Sequence, residues 1–304
     1  MSQAWSPEIE ISKDKAELMI EKQFPQLKPV KATVLGEGFD NSVFLINNEY
    51  VFRFPRREIA AELIRTENRI LPVISPNLPI ATPNPIFHGA PEDDYPWEFG
   101  GYKSLEGMTP TKLTAEQRLK SAKPLAEFLK ALHEFPLEEA KKLQVPYDKL
   151  DRINIEKRKP MFQTRVEEAF AKNLIQDDIF QGLQEFLTTI SGSLTDQTQT
   201  LVHGDLHIRN MLVDELGEVS AIIDWGDTHI GHPAIDLSIA YSFLPPEGRE
   251  IFFALYGDVS SEVKNIARFK AIYTIILLLL YAHDQKDELL KEDCLETLNL
   301  ALKD

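Results

Sequence analysis

Residues 201–227 read LVHGDLHIRNMLVDELGEVSAIIDWGD, from Leu201 to Asp227. Leu201-Val202 is a short apolar run that stops at His203-Gly204-Asp205. Met211-Leu212-Val213 then turns at Asp214-Glu215-Leu216-Gly217 and returns as Val219 to Ile223. Two short β-type runs joined by turn residues predict a hairpin. At its open end the hairpin gathers two carboxylates and an amide: Asp205, Asn210 and Asp224. Asp and Asn favour turns in any case, so each residue alone carries little weight. The combination carries the reading.

Transfer of a phosphoryl group needs a base to orient the attacking hydroxyl. It also needs oxygen ligands for a metal that bridges nucleotide phosphates. Asp205 with Asn210 five residues on resembles the kinase catalytic loop H-x-D-x-x-x-x-N, and Asp224 in Ile223-Asp224-Trp225-Gly226 stands where the kinase Asp-Phe-Gly would. HGDLHIRNMLVD, IIDWGD and HPAIDLS together resemble the aminoglycoside and macrolide phosphotransferase family. The resemblance implies an α+β, bilobal protein-kinase-like fold with a β-rich N-lobe, residues 1–104, and a mainly helical C-lobe, residues 105–304. It further implies transfer of the γ-phosphate of GTP or ATP, with Mg²⁺, to a substrate hydroxyl. Asp205 would be the base, and Asn210 and Asp224 the metal ligands.

The N-terminal half carries the resemblance more weakly. Ser12 to Phe24 reads as a helix with Ser12 as its N-cap. Val34 to Ile46 reads strand, glycine-bearing turn, strand; in the family such a hairpin covers the nucleotide phosphates, which nominates Gly36, Gly38 and Ser42. In Tyr50-Val51-Phe52-Arg53-Phe54-Pro55-Arg56-Arg57, alternation puts Val51, Arg53 and Pro55 on one face and Phe52 and Phe54 on the other. Arg53 holds the slot where kinases place a phosphate-binding lysine, and Arg binds phosphate as a planar fork. On the following helix, Glu67 is the expected partner of Arg53, with Glu62 the competing choice. Trp97 to Ser104 reads as the last strand of the first lobe, making Lys103, Ser104 and Leu105 the hinge residues expected at the purine edge. FRFPRR resembles macrolide phosphotransferases more than aminoglycoside ones, so a macrolide 2′-hydroxyl is the preferred acceptor, with an aminoglycoside, or an endogenous sugar or amino alcohol taken by a metabolic kinase, as the alternatives.

In the C-terminal half, Ala115 to His133 reads as one long helix, and 155–172, 177–191 and 247–303 as further helices. His133 reads as structural, and Asp236 as a buttress of the catalytic loop. Tyr273, Tyr281, Asp284 and Asp287 are weak acceptor-site candidates, better read as core or surface. Only eight residues separate Asp224 from Pro233, and Gly204 stands where protein kinases carry an arginine. Both features favour a small-molecule acceptor over a peptide.

Composition sets outer bounds. The 304 residues hold 48 acidic and 33 basic side chains, a net charge of −15, which disfavours a nucleic-acid partner and suits a cationic antibiotic acceptor. One cysteine, Cys294, allows neither an internal disulfide nor a thiolate metal site. His203, His207, His229 and His232 lack the pairing of a zinc site. The N-terminus has no secretory pattern, and the apolar run Ala271 to Ala282 is too short to span a bilayer, so a cytoplasmic protein with no membrane partner is expected. A nucleotide-binding pseudoenzyme is the alternative from another class. Retention of Asp205, Asn210 and Asp224 argues against it.

Overall fold

The computed structural model describes residues 7–37, 40–190 and 194–303. The N-terminal part runs α1 (Lys13–Gln23), β1 (Ala32–Glu37), β2 (Asn41–Ile46), β3 (Tyr50–Pro55), α2 (Glu58–Ile74), β4 (Pro85–Gly89) and β5 (Phe99–Lys103). Its strands form one antiparallel sheet in the order β1-β2-β3-β5-β4. Ser12 caps α1 by accepting the Lys15 amide at 3.2 Å. β3 is central and covered on both faces. Phe52 and Phe54 enter an aromatic core, stacked on Phe87 and Phe99 at 5.3 and 4.4 Å between centroids. Arg53 points the other way, toward α2. Gly101 lies opposite Phe52 in the register, and a Cβ there would come within 2.7 Å of that ring.

The remainder is mainly helical: α3 (Ala115–Lys120), α4 (Ala122–His133), α5 (Leu137–Lys142), α6 (Ile155–Ala171) and α7 (Asp177–Thr189) precede the short strands β6 (Thr200–Val202), β7 (Met211–Val213), β8 (Val219–Ile222) and β9 (His229–Gly231). Then come α8 (Ala234–Leu237), α9 (Ile239–Phe243), α10 (Pro246–Tyr256), α11 (Ser261–Gln285) and α12 (Glu288–Leu302). The α+β class and the lobed arrangement are as expected. α2 joins the two parts: Ala61 belongs to the aromatic core, whereas Ile70, Leu71 and Ile74 enter the helical core. The Ile222 amide donating to the Ala81 carbonyl at 2.9 Å adds a backbone tie between them.

Two expectations are corrected. The single helix from Ala115 to His133 is two, broken at Ser121. Pro124 has no N–H for the Lys120 carbonyl and its ring crowds that position, so a continuous helix is lost there. The freed Ser121 hydroxyl accepts the Val219 amide at 2.9 Å, fastening the hairpin to α4. The apolar run 271–282 is part of a 25-residue helix, α11, which by length and composition alone could cross a membrane. Within the fold 67% of its apolar window is buried, packed on α6, α8, α9 and α12, as a core helix would be.

Candidate active site

The catalytic-type loop is held from beneath. β6 pairs with β9, and the chain between β6 and β7 passes over the start of α8. Asp236, wholly buried, accepts the amides of His203 at 2.6 Å and Gly204 at 2.9 Å. His133 reaches Asp236 at 3.3 Å through Nε2 and Tyr256 at 2.7 Å through Nδ1. The expected buttress is therefore a chain of Tyr256, His133 and Asp236 under the loop. Burial alone would raise the Asp236 pKa, but the His133 contact, the charge of His203 and the Gly204 amide bring it below the ordinary value. The His203 ring lies against Trp225 at 4.8 Å and meets the Ile223 carbonyl at 3.0 Å, so this histidine spaces the two halves of the site. Gly204 has φ +90°, and a Cβ there would sit 2.2 Å from the Asp227 carbonyl oxygen. Only glycine fits.

Above this platform Asn210 Nδ2 donates to the Asp205 carbonyl at 2.8 Å and lies 3.3 Å from its Oδ2. Ile223 donates its amide to the Asn210 carbonyl at 2.9 Å, which sets Asp224 beside the loop. Asp224 takes a left-handed φ of +62°, turning its half-exposed carboxylate outward from the hairpin end. Arg53 comes down from β3 and forks: Nη1 donates to both Glu67 oxygens at 2.6 and 2.8 Å, and Nη2 to Asp224 at 2.6 Å. Glu67, not the exposed Glu62, is thus the helix carboxylate at Arg53. Burial disfavours the charged Arg53, yet Glu67 and Asp224 outweigh it and raise its pKa. Burial raises that of Glu67, with Arg53 pulling it back.

Asp205 is oppositely tuned. Burial opposes its ionised form, but His207 at 3.2 Å, with further help from Lys270 and His203, brings its pKa well below the usual carboxylate range. It is held as an anion able to accept a hydrogen bond from a hydroxyl. Asp227, in the loop between β8 and β9, is pushed up by burial and by Asp205. Arg152 restrains it, binding Asp227 and, at 2.7 Å, Asp148.

Residues 31–271 match the model of the phosphotransferase enzyme family, APH. The chain belongs to this family. Among solved structures, that of the GDP complex of aminoglycoside 2′-phosphotransferase-IIIa aligns with TM-score 0.70 and 24% identity over 96% of this chain and 99% of that one. Macrolide 2′-phosphotransferase type I aligns with TM-score 0.59 and 19% identity over 94% and 98%. Both share its fold. A curated relative, the uncharacterized protein YcbJ of Bacillus subtilis (strain 168), is 23% identical over 94 residues. That stretch covers 29% of this chain and 31% of YcbJ, so the chain matches about a third of that relative's length.

At this hairpin end the donor atoms suit a hard cation. Asn210 commits its nitrogen to Asp205, leaving its carbonyl oxygen, and the Asp224 carboxylate is 53% exposed at the mouth of the hairpin. One carboxylate and one amide oxygen, completed by phosphate oxygens and water, fit Mg²⁺.

The other expected nucleotide residues are placed less uniformly. Gly36 lies in β1, where an added Cβ would meet nothing within 4 Å, and Ser42 is buried on β2 opposite Phe54. Gly38 lies outside the described residues. Where the hinge is expected, the Ser104 amide donates to the Glu49 carbonyl at 2.7 Å, so that amide is committed within the protein and its carbonyl is left open. Lys103 and Leu105 flank it at the end of β5. Among the weak acceptor candidates, Asp284 meets Lys172 at 3.4 Å on the surface and Asp287 caps α12 by accepting the Leu290 amide at 3.0 Å. Sequence reasoning missed Arg152 and Lys270. Arg152 has no motif around it. Lys270 had a signal, a lysine set between Phe269 and the apolar run 271–282 of α11.

Proposed function

We propose that the protein transfers the γ-phosphoryl group of ATP or GTP to a hydroxyl of a small molecule. The observation that carries the reading is the meeting of Asp205, Asn210 and Asp224 at one hairpin end beneath the Arg53–Glu67 pair. Asp205 accepts the hydrogen bond of the acceptor hydroxyl and points its oxygen at the phosphorus. Arg53, held by Glu67, steadies the donor phosphates. Asn210 and Asp224 hold Mg²⁺, which when bound neutralises charge on the phosphate oxygens. The hinge, with Lys103, Leu105 and the Ser104 carbonyl, meets the purine edge, and the lobes 1–104 and 105–304 enclose the nucleotide. Beyond Asp224 the chain returns at once as β9, tied to Pro146 through the Ile230 amide at 2.7 Å, which supports a small acceptor over a peptide.

Among antibiotics, the 2′-hydroxyl of a macrolide stays ahead of an aminoglycoside. The preference rests on the FRFPRR stretch at β3, because charge does not separate the two classes: Arg152 is already paired with Asp148 and Asp227, and Asp205 and Asp224 stand at the same hairpin end. Solved neighbours include kanamycin, gentamicin and streptomycin complexes of aminoglycoside phosphotransferases, so both classes belong in the test. Purified protein with Mg²⁺ and either ATP or GTP is assayed for nucleotide turnover with erythromycin, kanamycin or no acceptor. Phosphorylated erythromycin supports the macrolide reading, and phosphorylated kanamycin alone moves it to aminoglycosides. Asp205→Asn should lower turnover at least ~10²-fold, the usual contribution of a positioned base. Turnover within about threefold of wild type would remove Asp205 from the mechanism.

A further inference from the structure

The main chain of Asp205 is committed at both of its polar groups. Its amide donates to His203 Nδ1 at 3.3 Å, and its carbonyl accepts Asn210 Nδ2 at 2.8 Å. The carboxylate is what stays free to turn, because rotation about the last side-chain bond of an aspartate is broad and roughly two-fold. A base has to present one oxygen along a fixed line, so that rotation must be stopped.

His207 is placed to stop it. It is 8% exposed and is the N-cap of the 3₁₀ turn Ile208–Asn210. The Asn210 amide closes the turn on the His207 carbonyl at 2.9 Å. Residues three apart eclipse in such a turn, which brings the His207 ring and the Asn210 side chain to one carboxylate. His207 Nε2 lies 3.2 Å from Asp205 Oδ2, and Asn210 Nδ2 lies 3.3 Å from the same atom. The tautomer follows from the other ring nitrogen. His207 Nδ1 accepts the Arg209 amide at 3.2 Å, so the proton of the neutral ring sits on Nε2. Asn210 Nδ2, 3.4 Å from Nε2, spends its two hydrogens on the Asp205 carbonyl and carboxylate. Nε2–H is thus a donor facing Oδ2, in a contact of the kind that tightens when substrate binds. With Nδ1 committed to Arg209 and Nε2 protonated, the ring has no lone pair with which to act as a base itself. No donor among the described residues reaches Asp205 Oδ1, and the side chain is 39% exposed.

We propose that His207 is a positioning residue: its Nε2–H pins Asp205 Oδ2 and thereby makes Oδ1 the atom that receives the acceptor hydroxyl. This rests on the kinase reading and deepens it. As the hydroxyl oxygen bonds to the γ-phosphorus, the bond from phosphorus to the bridging oxygen breaks. The nucleoside diphosphate leaves with that electron pair, and the hydroxyl proton passes to Oδ1. His207 keeps its own proton throughout.

The rival role is the cap that Nδ1 provides, and two substitutions separate the roles. Asparagine sets its carbonyl oxygen near the place of Nδ1 and keeps the cap, with no atom to reach Asp205. Glutamine sets its amide nitrogen near the place of Nε2 and keeps the donor. Purified protein with Mg²⁺ and ATP or GTP is assayed for turnover with erythromycin, with kanamycin and with water alone as acceptor. His207→Asn should lower kcat ~10-fold or more with the nucleotide KM within about twofold, whereas His207→Gln should stay within about threefold of wild type. In an Asp205→Asn background, His207→Asn should cost less than about threefold more, because a residue acting only through Asp205 has nothing left to position. An active His207→Asn beside an impaired His207→Gln would make the histidine a cap and overturn the proposal. Equal behaviour of the two variants, or full additivity with Asp205→Asn, overturns it as well. A raised nucleotide KM with kcat kept would put the ring on the donor phosphates instead, and also overturns it. If wild type turns over no nucleotide with any of these acceptors, the kinase reading itself falls.

Discussion

Replacing Asp236 by Asn tests whether the platform under the catalytic loop is electrostatic. The carboxylate is wholly buried and accepts two amides, His203 at 2.6 Å and Gly204 at 2.9 Å. Asparagine keeps one acceptor oxygen and turns an N–H toward the other amide, orphaning that donor at about 1–3 kcal/mol. The retained bond also loses its charge assistance, roughly half its strength. The sum is about 2–4 kcal/mol. For 304 residues the unfolding entropy is about 0.6 kcal/mol/K, so the melting temperature should fall by ~3–6 °C. The pH dependence has a definite sign. The pKa of Asp236 is lower folded than unfolded, so its contribution is complete above the unfolded value near ~4 and fades as pH falls through the folded one. The gap between wild type and variant should therefore be constant from neutral pH to about 5 and close in stronger acid. Displacing Asp205 by a fraction of an ångström should also cost ~10–100-fold in turnover while nucleotide affinity stays near wild type. Calorimetry across pH and a turnover assay measure both. A melting temperature within about 1 °C of wild type at pH 7 would refute the reasoning.

Arg53→Met removes the cation shared by Glu67 and Asp224, whose loss from a buried pair costs ~3–5 kcal/mol. The stranded Glu67, already pushed up by burial, will take a proton, so this variant should be more stable at pH 5 than at pH 8 relative to wild type. No such trend in denaturation midpoints would show that Glu67 is not left unpaired. Glu67→Gln should raise the KM for the nucleotide severalfold while Glu62→Gln leaves it unchanged; equal effects would remove the distinction between them. Gly204→Ala forces a side chain into φ +90° against the Asp227 carbonyl. It should lose ~1–2 kcal/mol from backbone strain before the clash is counted, and a melting curve matching wild type would contradict the geometry.

Much of the site was legible because its spacing is local. A hairpin turned by Asp214 to Gly217 must bring Asn210 and Asp224 to the same end, and the five-residue step from Asp205 wraps one short loop. The helix break at Ser121 was legible too, in Pro124, but the apolar periodicity on both sides masked it. Glu67 and Glu62 stand five residues apart on one amphipathic helix, and only the packing of α2 on β3 decided which one is buried. The hinge could be placed by position, yet no side-chain pattern could show that Glu49 already occupies the Ser104 amide.

The chain by itself therefore placed Asp205, Asn210 and Asp224 at one hairpin end, since backbone geometry alone converts their spacing into proximity, and the family resemblance those residues carry implied the α+β class. Tertiary structure decided the rest. Arg53 reaches Asp224 across 171 residues, and Arg152 reaches Asp227 across 75. Such contacts are set by how helices and sheet pack over long loops. A guanidinium or ammonium reads the same in sequence whether solvent or a catalytic carboxylate faces it.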